Sequence, residues 1–304
     1  MRVFVTGASG HVGSAVVPEL LAAGHEVVGL ARSDRSAAVL AAMGAEVYRS
    51  ELDDLGGLGA AAAAADGVIH LAFKHDAMVT GDYGSAIAAD LRAIQTFGEA
   101  LAGTGKPFVG TSGTLMLAMA GLGRIGTESD VTEAAGGRTD AENAVIGFAE
   151  RGIRPSVVRL PPTVHSSLDH HGFVPSLIAI ARDKGVAGYV GEGSNRWPAG
   201  HTLDAGHLYR LALESAPAGS RLHAVGDEGV PFRDIAEALG RNLNVPVVSI
   251  AAEDADAHFG FLGPLVQLDN PTSSLQTQEL LGWKPAHPGL IEDIDEGHYF
   301  ANPA

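Results

Sequence analysis

Cysteine is absent from the 304 residues. That excludes disulfides, thiolate catalysis and cysteine-ligated metals together. Basic residues are few beside acidic ones: 20 Lys and Arg against 36 Asp and Glu leave a formal net charge of −16. Such a surface repels nucleic acid and anionic membranes, so neither is expected as a partner. No apolar run reaches bilayer-spanning length, and the first residues read as a strand, not as a basic and apolar leader. A soluble, cytoplasmic protein is the expectation. The chain holds 13 histidines, Asp169-His170-His171 among them, but no HExxH or comparable helical spacing, and no metal is expected. Internal repeats are lacking too, and the unbroken run Ala60 to Ala65 reads as a helix filled with the best helix former.

What is present begins with a glycine-rich turn. Thr6-Gly7-Ala8-Ser9-Gly10-His11-Val12-Gly13 follows the apolar run Val3-Phe4-Val5 and precedes Ser14 to Leu21, which reads as a helix. Gly7 permits the tight turn, and Gly10 lets backbone approach a pyrophosphate. Gly13 lets the helix pack closely on the sheet, and the helix N-terminus offers free N–H groups to the phosphates. The GxxGxxG spacing between strand and helix predicts a dinucleotide site walled by Thr6, Gly7, Ser9, Gly10, His11, Val12 and Gly13.

Short apolar runs then alternate with helix-length segments. Strands are expected at Arg2–Thr6, Glu26–Leu30, Ala45–Arg49, Gly67–Ala72, Lys106–Thr111 and Pro155–Leu160, with a last one at Arg221–Val225 after a helix Ala205–Glu214. This alternation predicts an α/β fold, a Rossmann-type doubly wound parallel sheet with a smaller C-terminal substrate lobe. Beyond Pro161-Pro162 the texture changes, and helices are expected at Phe173–Asp183, Phe232–Asn242 and Ser274–Leu281. The division read from this is 1–164 plus 204–225 for the dinucleotide-binding domain and 165–203 plus 226–304 for the substrate lobe. The site is expected in the cleft between them, at the carboxyl ends of the strands.

The TGxxGxxG spacing and the late Leu281-Gly282-Trp283-Lys284-Pro285 resemble the extended and atypical branches of the short-chain dehydrogenase/reductase superfamily, the NAD-dependent epimerase/dehydratase group. The second strand runs Val28-Gly29-Leu30-Ala31-Arg32-Ser33, with Ala31 where an NAD enzyme usually has a ribose-binding carboxylate. A guanidinium suits a 2′-phosphate, so Arg32 and Ser33 favour NADP. NAD stays open as the second choice, because a small loop shift would bring Asp34 to the ribose. By the resemblance, Glu51-Leu52 stands beside the adenine, and Leu71-Ala72-Phe73 lines the cofactor ribose, with His70 as a packed strand residue. Pro161, Pro162, Thr163 and Val164 match the turn that backs the nicotinamide.

The resemblance also implies a hydroxyl after the fifth strand to hold a carbonyl, and a YxxxK pair to move the proton. Ser112 is the best match to that hydroxyl, with Thr111 and Thr114 beside it. YxxxK occurs nowhere in the chain. If Glu142 is the Glu that often stands four residues after the family Lys, Arg138 takes the Lys position and Ala134 the Tyr position. Arginine can bind the cofactor ribose but cannot shuttle protons at neutral pH. Ser112 and Arg138 are therefore the expected catalytic residues, Arg138 doubling as a cofactor ligand. His165, His170, His171 and His201 are candidates for a replacement acid. Near the return to the first domain, Arg196 is displaced by one from the phosphate-clamping arginine of nucleotide-sugar epimerases, and Trp197 fills its slot, which suggests an apolar or aromatic substrate.

These readings converge on an NADPH-dependent oxidoreductase acting on a small, activated carbonyl compound. A NADP(H)-binding sensor or regulator without catalysis is the alternative, and a nucleotide-sugar epimerase or dehydratase ranks third. The expected partner is a small-molecule substrate, and a homodimer stays open as the assembly.

Overall fold

The computed structural model describes residues 1–74, 82–132 and 137–301. Seven strands form one parallel sheet: β1 (Arg2–Thr6), β2 (Glu26–Ala31), β3 (Glu46–Arg49), β4 (Gly67–His70), β5 (Pro107–Gly113), β6 (Arg154–Leu160) and β10 (Ser220–His223). Their order is β10-β6-β5-β4-β1-β2-β3. From β1 the chain winds outward through β2 and β3, then returns to β4 and winds the other way. The reversal sets the end of β1 beside the end of β4, with Thr6 and His70 as register partners. Ligands of such sheets bind outside the carboxyl ends at this switch point. Here the fold expected from the alternation is found.

The central strands are rich in Val, Ile and Phe because both faces are covered. One face holds Val3, Val5, Ile69, Val109 and Val158 against α1 (Gly13–Ala22) and the helix Thr202–Ser215. The other packs Phe4, Val68, Phe108 and Val157 against α3 (Leu55–Ala64), the helix Tyr83–Leu101, which brings Phe97, and the helix Arg138–Gly147. Between β2 and β3 lies α2 (Asp34–Met43), opened by a Ser33–Ser36 capping box and closed by Gly44 in the left-handed region.

A third core gathers Val174, Leu177, Trp197, Phe232, Leu239, Leu290 and Ile294. Around it stand the three-stranded sheet β11-β9-β7, formed by β7 (Thr163–His165), β9 (Arg196–His201) and β11 (Asp227–Pro231), and the pair β8 (Ala187–Val190) and β12 (Val247–Ile250). The helices Phe173–Lys184, Phe232–Leu243 and Leu290–Asp295 complete it. Asp204 pins the late segment: its carbonyl accepts from Trp283 Nε1, and its carboxylate accepts from the backbone N–H groups of Ala286 and His287. No helix among the described residues is long and apolar enough to cross a membrane.

Several strand ends differ from expectation by one or two residues, the last strand among them at Ser220–His223, and two of these differences share one reason. β4 stops at His70, two residues early, while β5 runs on to Gly113 and takes in Ser112. β5 pairs with β6 along its whole length, Gly113 to Leu160 included, whereas β4 meets β5 only at Val68 and Ile69. A strand lasts as long as a neighbour satisfies its backbone.

Candidate active site

The glycine-rich turn is built as its spacing requires, with one difference. Gly7 has φ +67°, and a Cβ there would lie 2.7 Å from Ala72 N, so the turn demands glycine. A Cβ on Gly10 would meet only Gly7 O, at 3.2 Å, and the residue is exposed, which leaves the approach for a phosphate. Gly13 is close not to the sheet but to the turn itself: a Cβ would fall 2.3 Å from Gly7 O and 2.6 Å from Ala8 C. Gly13→Ala should therefore displace the turn, lowering stability by about 1–3 kcal/mol and weakening NADH and NADPH binding together. A titration with unchanged affinity for both would contradict this.

A buried relay braces the turn from below, and the sequence pattern did not foretell it. His70 Nε2 lies 3.0 Å from Asp90 Oδ1, His70 Nδ1 lies 2.7 Å from Thr6 Oγ1, and Ala72 N donates to Thr6 Oγ1 at 3.2 Å. A carboxylate only accepts, so Nε2 carries the proton, Thr6 donates to Nδ1, and Thr6 still accepts from Ala72. His70 is thus the packed strand residue expected, and also a cross-link between the two central strand ends.

Past the tip of β2, Arg32 and Ser33 are exposed. The Ser33 hydroxyl caps α2, accepting from Ser36 N. Asp34 is the first residue of α2, with its carboxylate held 2.6 Å from Arg49 Nη2. Glu51 is exposed, and Leu52 packs on the sheet core.

Leu71, Ala72, Phe73 and Arg138 come together. The Arg138 guanidinium lies over the Phe73 ring, 4.4 Å from its centre, and Nη2 donates to Thr111 O at 2.9 Å. Ala134 lies outside the described residues. The three candidate hydroxyls all have partners. Thr111 donates to His70 O and meets Tyr209 OH at 2.8 Å, while Thr114 accepts from Asn270 Nδ2. Ser112 is only 3% exposed, and its hydroxyl donates to Met116 Sδ at 3.8 Å. Pro161 and Thr163 are buried, the Thr163 hydroxyl donating to Pro198 O, and Val164 is half-buried.

Beneath them sits a buried charge network that helix spacing alone could not reveal. Arg159, 0% exposed, donates to both oxygens of Glu142 at 3.0 and 2.6 Å. Arg221 Nε donates to Glu142 Oε1, and Arg159 Nη1 faces His223 Nε2 at 3.2 Å. Burial opposes the charge on Glu142, but Arg159, Ser112 and Arg221 outweigh it and hold its carboxyl below the usual range. Glu142 lies one turn from Arg138 on the same helix, so this network fixes where that guanidinium stands.

The histidines divide. His165 is buried, with Nδ1 3.0 Å from Asp293 Oδ2, and His201 Nδ1 accepts from Leu203 N to cap its helix. Neither is free to act as an acid in a cleft, which corrects that expectation for both; His170 and His171 are exposed. His11 reaches Thr202 Oγ1 at 2.7 Å and Asp169 at 3.7 Å. Burial, then the surrounding histidines, push His11 down to about 4, and burial lifts Asp169 to about 6. Asp204 stands near His201 and His287 at ion-holding distance, but its carboxylate already accepts from three N–H groups.

Trp197 overturns a second expectation. It is 0% exposed and packs edge-on to Phe232, centres 5.0 Å apart, so it fills a core and touches no substrate. Its neighbour Arg196 is paired through two nitrogens with Asp269.

Residues 3–117 match the NAD dependent epimerase/dehydratase family. An uncharacterized protein of Schizosaccharomyces pombe is 48% identical over 99% of this chain and 100% of its own. The structure of DesIV, a dTDP-glucose 4,6-dehydratase from Streptomyces venezuelae with NAD and TYD bound, superposes with a TM-score of 0.78 at 20% identity, covering 98% of this chain and 96% of that one. A UDP-glucose 4-epimerase from Thermotoga maritima, with UDP-glucose, gives 0.77 at 18% identity over 99% and 98%. Likeness at this identity speaks for the fold.

Proposed function

We propose that this chain, which belongs to the NAD dependent epimerase/dehydratase family, is an NADPH-dependent oxidoreductase that reduces a small, activated carbonyl compound. The observation that carries the proposal is Arg138, seated on Phe73 and Thr111 O at the carboxyl edge of the sheet, where a cofactor-binding cation belongs. In this reading 1–164 plus 204–225 bind the dinucleotide, and 165–203 plus 226–304 bind substrate. The turn from Thr6 to Gly13, with its open face at Gly10, fits a pyrophosphate, while Arg32 and Ser33 take the 2′-phosphate. Glu51 and Leu52 flank the adenine. Leu71, Ala72, Phe73, Pro161, Thr163 and Val164 wall the nicotinamide half.

A reduced nicotinamide, when bound, supplies hydride. The residues do the rest. Arg138 holds the ribose and keeps positive charge near the carbonyl, but it yields no proton. Ser112 donates to the developing oxyanion once its hydroxyl turns from Met116 Sδ. The proton then comes from water, which favours carbonyls whose reduced products are weak bases: activated aldehydes, quinones and conjugated ketones. With Arg196 displaced by one from the phosphate-clamping position that the resemblance gives, nucleotide sugars are not the favoured substrates.

The test is NADPH oxidation against a carbonyl panel. Turnover is expected with electron-poor carbonyls and almost none with unactivated ketones. Ser112→Ala should lower it by about 10²-fold, the loss typical of an oxyanion donor, with NADPH affinity unchanged. One observation favours the second reading, a NADP(H)-binding sensor: Thr111, Ser112 and Thr114 all have partners for their hydroxyls. Tight NADPH binding with no oxidation across the panel would decide for it.

A further inference from the structure

We propose that Arg49, on β3, is a second reader of the adenosine 2′-phosphate, and that Asp34 holds its guanidinium until that phosphate arrives. The inference rests on the NADP reading and deepens it. Sheet register is its first support. Ala31 and Arg49 are paired residues on neighbouring parallel strands. Leu30 and Tyr48, the pair before them, both turn to the core on the side of α3. Strand alternation then sends Ala31 and Arg49 to the opposite face. Ala31 belongs to the core on that face. Arg49 thus stands beside the position where an NAD site carries its carboxylate, and Ala31 puts no negative charge there.

The second support is where Arg49 points. Its Nη2 reaches over to Asp34 Oδ1 at 2.6 Å, at the first turn of α2 and next to Arg32 and Ser33. The Asp34 carboxylate is fully solvated, with 101% relative exposure, and Arg49 is half exposed. An ion pair with both ends in water adds little to stability. A phosphate dianion carries more charge than a carboxylate and matches the guanidinium fork equally well. Arg49 can therefore exchange Asp34 for a 2′-phosphate at small cost. Asp34 does not lose a place by letting go, because a carboxylate in the first turn of α2 still faces the positive end of that helix. NADH has no group to make this exchange, so Arg49 separates the two cofactors.

The experiment is a binding titration of the full chain with NADPH, NADH, 2′,5′-ADP and 5′-AMP. Arg49→Ala should weaken NADPH and 2′,5′-ADP about tenfold or more, as loss of a charge-assisted bond does, and leave NADH and 5′-AMP unchanged. Asp34→Asn should tighten NADPH several-fold, and the gain should vanish in the Arg49→Ala background. If Arg32→Ala weakens NADPH while Arg49→Ala does not, the inference fails and the NADP reading stands. Wild-type protein that binds NADH as tightly as NADPH overturns both. An Asp34→Asn gain that persists without Arg49 would mean repulsion alone, and the holding role is wrong.

Discussion

Glu142→Ala should cost the fold about 3–5 kcal/mol, the usual loss when one partner of a buried ion pair is removed. The reason lies with what remains. Arg159 is 0% exposed and directs Nε and Nη2 at the two carboxylate oxygens, with Asp130 O and His223 Nε2 as its other partners among the described residues. Without Glu142 a guanidinium stays in the interior with most of its charge uncompensated. Arg221 suffers less, since it reaches the surface. Replacing both members, Glu142→Met with Arg159→Met, should recover most of the loss, because a well-packed apolar pair can match a buried ionic one. Urea denaturation measures both variants. A single-variant loss below about 1 kcal/mol, the range of a surface pair, would show that the network is hydrated and does not anchor the helix carrying Arg138.

Stability should fall as pH drops from about 6.5 to about 4, and His223 is one of three histidines behind that fall. It is wholly buried, with Nδ1 2.7 Å from Ser273 O, so Nδ1 carries the proton and Nε2 accepts from Arg159. Burial first, opposed by Glu128 and reinforced by Arg159, pushes the imidazole down to about 4. The unfolded chain takes up its proton near 6.5, so the stability is complete above that pH and is lost as pH falls through the folded value. The slope approaches about 1.4 kcal/mol per pH unit for one such group. His11 and His201, each also pushed down to about 4 chiefly by burial, act in the same direction. Asp169, lifted to about 6 by burial, opposes them: it costs stability as pH rises from its unfolded value towards 6. Below the ordinary carboxylate range Glu142 adds a further loss, because its folded carboxyl is held down. Denaturant midpoints between pH 7 and 4.5 should trace this, and His223→Gln should flatten the curve. A wild-type curve level over that interval would refute the neutral, buried assignment.

The glycine-rich turn, the β/α alternation and the parallel sheet were legible in the chain because each depends on near neighbours. A positive φ at Gly7, apolar runs of strand length and a helix directly after Gly13 leave a local trace. That Arg138 and Glu142 stand four residues apart on one helix is likewise a local relation. The tertiary structure alone decided which polar groups remain available. Thr114 meets Asn270, His165 meets Asp293, and Trp197 sinks against Phe232. Each partner lies tens of residues away or on another element, and residue type does not tell a packed tryptophan from one that lines a cleft. The pairing of Ala31 with Arg49 is likewise a matter of register. A shift of one residue would send Arg49 to the other face, and only the folded sheet sets that register.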